Sequence, residues 1–388
     1  MKTMKISKIA LAVVGMTAAT SAFAITGDAR GSAMGGVGVA SANYLESSIY
    51  NPAMGTKVKE SDDFGVMLSV GALAADPDNM EESVDDVSTM VDDFDDFGIT
   101  PTNDDWNQTL DNLDESVLRG EVSSSLLIAI PTKAVSTTFF TNVNAKVIGT
   151  TLVDDADRDY FVNGGVDDLK SETHALVGGT VDIGFAFAKE FTVFDDQALS
   201  VGVAPKYQKV YAYYAAETVE DFEDVEFDEN DAETSGAFNI DLGVSYTPVE
   251  NVTLAVAATN LIEQELETNV SGLGGTATYK VAPMVVVGAA YSNDFFTIAT
   301  DVDLTENEYF EIANIKATEQ YARVGVEFDA WEWAQLRAGY AHSMSDFSED
   351  KVTAGIGIKA FGSVGIDVAA EMTEEREVGA VVNLVAKF

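Results

Sequence analysis

Much of this chain is written in a period of two. Val181, Ile183, Phe185 and Phe187 alternate with Asp182, Gly184 and Ala186. Ile240, Leu242, Val244 and Tyr246 alternate with Asp241, Gly243 and Ser245, and Val324, Val326 and Phe328 with Arg323, Gly325, Glu327 and Asp329. An apolar residue at every second position, with charge or glycine between, marks a strand whose two faces meet different surroundings. Fourteen such stretches are predicted, over 62–73, 119–131, 133–148, 173–191, 198–214, 234–247, 251–262, 276–291, 295–304, 317–330, 334–344, 350–360, 363–371 and 377–388. Their connections are of two kinds. Those after even-numbered stretches are short, as at Pro131-Thr132-Lys133, Pro248-Val249-Glu250 and Asn293-Asp294. Those after odd-numbered stretches are longer and varied: 74–118, 149–172, 215–233, 263–275, 305–316, 345–349 and 372–376. A pair of soluble β-sandwiches would alternate along its strands without keeping this order of connections. The pattern predicts an all-β protein, a 14-stranded antiparallel transmembrane β-barrel with periplasmic turns and external loops.

A sheet in a bilayer must close, because an open edge would leave backbone groups unpaired. The face with Val181, Phe185, Val326 and Phe328 then meets lipid. The other face is expected to bring Asp182, Lys206, Asp241, Lys280, Asp301, Asp303, Arg323, Glu327, Asp329, Arg337, Lys359 and Asp367 into the lumen. Both signs are present, so these charges can pair across the barrel or line a wet path, and both readings stay open. The last stretch runs its apolar register through Ala380, Val382, Leu384 and Ala386 to Phe388, the expected insertion signal for the barrel-insertion machinery. An even strand count puts both termini on the periplasmic side.

Residues 1–24 carry Lys2, Lys5 and Lys8 before a short apolar run and Ser21-Ala22-Phe23-Ala24, the form of a secretory signal peptide cleaved after Ala24. No later stretch offers about 20 unbroken apolar residues. The outer membrane of a Gram-negative bacterium is therefore the expected location. A fourteen-stranded lumen is too wide for wall side chains to fill. Residues 25–61, small and glycine-rich, are the expected lumenal hatch, and 62–388 the barrel. Arg30, Met34, Gly35, Gly36, Val37, Val39, Asn51 and Pro52 are the candidate hatch or gating residues. Arg30 is expected to pair with a wall carboxylate, the alternative being a loose periplasmic lead-in at 28–30. Met34, Val37 and Val39 are expected to contribute to an apolar pocket. Gly35, Gly36 and Gly38 lack the Lys-Ser/Thr of a phosphate loop.

Within the first long connection, 74–118, the stretch 76–118 carries fifteen acidic residues and no basic one. Val84, Val87, Val91 and Phe94 recur at helical spacing, as do Trp106, Leu110, Leu113 and Val117, with Pro101 between. This predicts an acidic helical insert, a hairpin outside the cell whose apolar stripes pack on each other or on the barrel rim.

Composition narrows the function. The chain has 65 acidic against 22 basic residues, a net charge of −43, which excludes a nucleic-acid partner. It suits a salty habitat, or cation attraction at a pore mouth. With no cysteine there is no disulfide and no thiolate chemistry, and no calcium-loop pattern is present. No cofactor or metal is expected. His174 and His342, the two histidines, have no nucleophile motif nearby, so no enzyme is expected.

Gly27-Asp28-Ala29-Arg30, the run Ala33 to Ala40 and Tyr50-Asn51-Pro52-Ala53 resemble the N-terminus of the conjugal transfer protein TraF family. Asn260-Leu261-Ile262, Asp301-Val302-Asp303-Leu304-Thr305, Glu319-Gln320-Tyr321, Trp331-Glu332-Trp333 and Leu336-Arg337-Ala338-Gly339-Tyr340 extend the resemblance. That family is similar to outer-membrane long-chain fatty-acid transporters and aromatic-hydrocarbon channels. The resemblance implies a fourteen-stranded barrel with an N-terminal hatch at the Asn-Pro-Ala element. The family name implies a conjugation factor of thioredoxin-like fold, chemistry that a chain without cysteine or a βαβ pattern cannot carry. The expected function is a passive, hatch-gated outer-membrane channel for small hydrophobic or amphipathic molecules. It would be a monomer in outer-membrane lipid with a small hydrophobic ligand. The alternative is a closed-lumen structural or surface-interaction barrel.

Overall fold

The computed structural model describes residues 27–58, 62–114, 116–165, 169–194, 197–219, 232–269, 276–312, 315–329, 331, 333–360, 363–373 and 377–388. The signal segment, Lys59 and Glu60 and the acidic run 220–231 lie outside the described residues. The strands in chain order are β1 (Gly65–Ala75), β2 (Val117–Ile130), β3 (Ser136–Leu152), β4 (Glu172–Val193), β5 (Gln197–Thr218), β6 (Glu233–Val249), β7 (Val252–Thr259), β8 (Gln264–Asn269) and β9 (Thr276–Val281). They continue with β10 (Met284–Ser292), β11 (Phe296–Asp303), β12 (Asn307–Ile312), β13 (Ile315–Glu319), β14 (Tyr321–Phe328), β15 (Ala334–Ser343), β16 (Lys351–Ala360), β17 (Val364–Met372) and β18 (Val378–Lys387).

Fourteen of these close into one antiparallel barrel, in the order β1 to β7, β10, β11 and β14 to β18, with β18 returning to β1. At the closing seam Gly65 faces Lys387 and Ala74 faces Val378. The terminal residue completes it: Phe388 donates its N–H to the Phe64 carbonyl (2.8 Å), and its own carbonyl accepts from the N–H groups of Asp63 and Phe64. Turns at one end are short and connections at the other are long, so every second crossing returns tightly.

The period of two does the work the sequence implied. Ile183, Phe185, Phe187, Leu242, Val244, Val324, Val326, Phe328, Val382 and Leu384 are exposed on the outside of the barrel. Between them Asp182, Asp241, Ser245, Asn383 and Val381 are buried inward. An apolar exterior around a polar interior is the inverse of a soluble barrel.

Two predicted strands divide. The stretch 276–291 breaks at Pro283, which has no N–H to give a ladder, into β9 and β10; 317–330 breaks at Gln320 into β13 and β14. The predicted loops 263–275 and 305–316 contain β8 and β12. The hairpins β8–β9 and β12–β13 join into a second, four-stranded sheet, ordered β13-β12-β9-β8, beyond the loop end of the barrel. Tyr279, Val281, Tyr309, Phe310 and Ala317 of this sheet pack on Ile148, Leu176, Val210 and Ala212. Those wall residues belong to unusually long strands, 22 residues each for β4 and β5.

The first long connection folds as two helices, α1 (Met80–Phe97) and α2 (Asn103–Leu113). Gly98, left-handed at φ 66°, ends α1, and Thr102 caps α2 by accepting from the N–H of Asp105. Their stripes, Val84, Val87, Val91, Trp106, Leu110 and Leu113, meet each other and Tyr160, Phe161 and Leu169 of the β3–β4 connection. Val117, read as part of the second stripe, instead begins β2.

Candidate functional site

Residues 27–58 touch the inner wall on both sides of the barrel, so this segment occupies the lumen. It holds a short helix at Ala29–Ala33, another at Ser47–Tyr50 and a 3₁₀ turn at Pro52–Thr56. None is long enough to be stable alone. Each is fixed by groups of the wall.

Arg30 is at the centre of the largest of these contacts. Its Nε and Nη2 donate to the two carboxylate oxygens of Glu327 on β14, at 2.9 and 3.1 Å, a bidentate fork. Its Nη1 donates to the Ser41 carbonyl (2.8 Å) and to Glu46 (3.1 Å). Glu327 also accepts from Arg337 Nε at 2.7 Å, and Arg337 reaches Asp367 at 2.5 Å. Glu46, Arg30, Glu327, Arg337 and Asp367 thus form one alternating chain of charge from the segment to β17.

The next contacts run along the segment. Asp28 caps the first helix, accepting from the N–H groups of Arg30 (2.7 Å) and Gly31 (3.1 Å), and the Ala29 N–H reaches Asn383 on β18 (3.0 Å). Burial, and then the charge of Glu46, push the Asp28 carboxyl up to about 7. Gly35 and Gly36 are left-handed, at φ 77° and 85°. A Cβ on Gly35 would press on the Tyr340 backbone at 3.0 Å, and the Gly35 N–H donates to Thr353 (2.8 Å). One oxygen of Asp301 accepts from the N–H groups of both Gly38 (2.7 Å) and Val39 (2.9 Å). Met34, Val37 and Val39 are buried against Ala255, Ala257, Ala290 and Ala299 of the wall.

Asn51 closes the segment. Its Oδ1 accepts from the Ala53 N–H (3.0 Å) and its Nδ2 donates to the Val39 carbonyl (2.9 Å), while Pro52 starts the 3₁₀ turn, where its missing N–H costs nothing. Wall glycines make the approach possible: a Cβ on Gly202 or Gly243 would collide with Pro52-Ala53 or with Asn51.

Most predicted lumenal charges are in this network or beside it. Asp303 accepts from Arg323 (2.5 Å) and from the Tyr321 N–H (2.8 Å). Lys206 lies between Asp182 (3.1 Å) and Asp241 (3.0 Å) and donates to Asn260 (2.7 Å). Asp329 and Lys359 pair at 3.5 Å in a more exposed position near the turns. Lys280 is the exception. It is not lumenal but stands on β9 of the second sheet, paired with Glu265 (2.8 Å) and Glu263 (3.2 Å). The break at Pro283 removed it from the wall. Met34, Val37 and Val39 face wall alanines and are not in the lining of the cavity described next.

That cavity, about 190 Å³, lies between the segment and the inner faces of β2 to β7. Ser48, Ser123, Asn142, Asp182, Lys206 and Asp241 are among its lining. It is polar, unlike the apolar pocket expected for a hydrophobic cargo.

Nearer the loop end a second layer of ion pairs crosses the lumen. Lys146 holds Glu319 (2.8 Å) and Glu121 (3.3 Å), Lys351 holds Glu377 (2.7 Å), and Arg119 reaches Glu349 (3.3 Å) and the Phe347 carbonyl (2.8 Å). The period of two points Arg119, Glu121, Lys146 and Lys351 inward, while Glu319, Glu349 and Glu377 stand outside the wall strands, where no such pattern marks them. Asn383, which accepts from the Ala29 N–H, is uncharged and carries no such signal in the sequence. His174 contacts Tyr214 (2.6 Å) and His342 contacts Asp350 (2.9 Å). Among the described residues no cluster of potential metal ligands occurs.

A family model described as "F plasmid transfer operon, TraF, protein" matches residues 48–303. No curated protein is significantly similar in sequence. Among solved structures, the chain is similar to the Ralstonia pickettii toluene transporter TbuX, at 12% identity and TM-score 0.57, covering 93% of this chain and 98% of that one. It is similar to the Pseudomonas putida toluene transporter TodX at 14% identity and TM-score 0.52, with coverages of 93% and 98%. A Pseudomonas aeruginosa FadL homologue matches at 13% identity and TM-score 0.53, with coverages of 95% and 99%. At such identities the likeness is one of fold.

Proposed function

The chain belongs to the family described as F plasmid transfer operon, TraF, protein, and we propose that it is an outer-membrane channel for small hydrophobic or amphipathic molecules, passive and gated by its N-terminal hatch. The observation that carries this reading is the segment 27–58 inside the barrel. It is joined to the wall by discrete hydrogen bonds and ion pairs, at Glu327, Thr353, Asp301 and Asn383, which can break and re-form without unfolding a strand. An apolar exterior suits outer-membrane lipid, and the solved structures of similar fold include proteins titled as toluene transporters. In this reading the turns and both termini are periplasmic, the acidic helical insert is external, Phe388 is read by the insertion machinery and the barrel acts as a monomer.

A specific observation favours a second reading. Ion pairs around Lys146 and Lys351 tie the loop end together as well, as would suit a barrel with a purely structural or surface role. Uptake separates the two. A Gram-negative host without a channel of this kind, expressing the chain, should accumulate a small aromatic hydrocarbon or a medium-chain fatty acid faster than the vector control. Equal rates with the barrel correctly inserted would favour the structural reading.

A further inference from the structure

We propose that the polar cavity between the N-terminal segment and the wall is a binding site for a small primary ammonium group. The inference deepens the channel reading, since it names a head-group chemistry for an amphipathic cargo, but binding itself needs no flux.

Two observations carry it. The first is charge. Asp182 and Asp241 face the cavity with Lys206 between them, all three more than nine-tenths buried, leaving one net negative charge. The second is a set of unsatisfied oxygens that are not part of that pairing. The hydroxyls of Ser123 and Ser48, 5% and 7% exposed, make no hydrogen bond, nor do Oδ1 of Asn142 and Oδ1 of Asp182. All four residues line the cavity. Asn142 and Asp182 are opposite each other in the β3–β4 register, and Ser123 is one diagonal step from Asn142 across β2–β3. Gln208, opposite Asp182 on its other side, gives an amide N–H to Asn260 (3.2 Å).

Buried acceptors without donors are costly, and a net negative, acceptor-rich space favours a cation that brings N–H groups. A primary ammonium offers three donors on one positive centre. Potassium would supply charge without donors, and a neutral diol donors without charge. The cavity has room for a solute of several heavy atoms. Because Ser48 belongs to the N-terminal segment, a bound ammonium would bridge that segment to the wall.

Calorimetric titration of the detergent-solubilised full barrel with ethanolammonium chloride tests this. Saturable binding is expected, weakened by at least about tenfold in Asp182→Asn, which removes a charge-assisted hydrogen bond. Ser123→Ala, which leaves every ion pair intact, should weaken it by a smaller factor, and this variant carries the test if Asp182→Asn does not fold. Ethylene glycol should not saturate, and potassium chloride at matched concentration should not compete. The proposal is overturned if ethanolammonium gives no saturable heat, if neither variant changes it, or if the diol or potassium binds as well, in which case the cavity holds water or reads charge alone. Binding without uptake would remove the channel reading and keep the site. Uptake without binding would do the reverse.

Discussion

Arg30 donates four hydrogen bonds to both sides of a junction: two to Glu327 on the wall, one to Glu46 and one to the Ser41 carbonyl within the segment. Removing it leaves Glu46 without its cation and Glu327 held by Arg337 alone, in a site of low solvent access where breaking a pair costs about 3–5 kcal/mol. Arg30→Ala is expected to shift the docked segment toward release by on the order of a hundredfold or more, while the barrel still migrates as a folded, heat-modifiable species. Arg30→Lys should rescue little, since a lysine cannot form the fork to Glu327. Single-channel recording reads this directly, and a parent-like conductance in Arg30→Ala would remove its gating role. That Arg30 would find an inward carboxylate was legible in the sequence, because a charge in a small-residue segment inside a barrel has few other options. Which carboxylate was not legible, since several point inward and only the register selects Glu327.

Asp28 gives the same junction a pH dependence. Its docked carboxyl sits at about 7 against an ordinary 3.8, through burial first and Glu46 second, with the Gly31 N–H and Arg30 opposing and Tyr50 adjacent. The docked state therefore holds a proton that the released state gives up. Docking is strongest below about pH 4 and weakens as pH rises through about 7. Solute passage should rise between about pH 5 and 8, and Asp28→Asn, which keeps the capping oxygen, should flatten that rise. A parent profile without slope in swelling assays would contradict the assignment.

At the scale of elements, the last strand shows how much depends on one end. Phe388 contributes three backbone hydrogen bonds at the seam and a ring 6.4 Å from that of Phe64. Deleting it should leave the β18–β1 closure frayed and lower the amount of barrel recovered in the membrane fraction, with the remainder degraded before insertion. Normal membrane levels would mean that the preceding register alone carries insertion.

Periodicity was enough to find the wall strands, because lipid and lumen enforce opposite chemistry at alternate positions. It failed for β8, β9, β12 and β13. In β9, Ala277, Tyr279 and Val281 keep the same alternation but pack on other strands rather than lipid, so they read as an extension of β10. β8, Gln264-Glu265-Leu266-Glu267-Thr268-Asn269, has one strong apolar residue and reads as loop. The helical hairpin was legible for the opposite reason. Its stripes change period from two to three and four, and nothing nearby imitates that.

The molecule as a whole is a barrel with unequal walls. β3 to β6 run 17, 22, 22 and 17 residues, while β7 and β11 have 8 each and β15 to β18 9 or 10. A bilayer needs roughly 9–11 residues of a tilted strand. The short side is therefore nearly all crossing, and the tall side carries about ten residues per strand beyond it, on which the second sheet leans. Polar residues enter its outward positions there: Glu217 and Thr234 are exposed. The two sides are then free to change in different ways over evolutionary time. On the short side nearly every outward substitution is judged by hydrocarbon. On the upper tall wall outward substitutions are judged by water, and drift in a lineage can accumulate there without touching the lumen, the seam or the N-terminal segment.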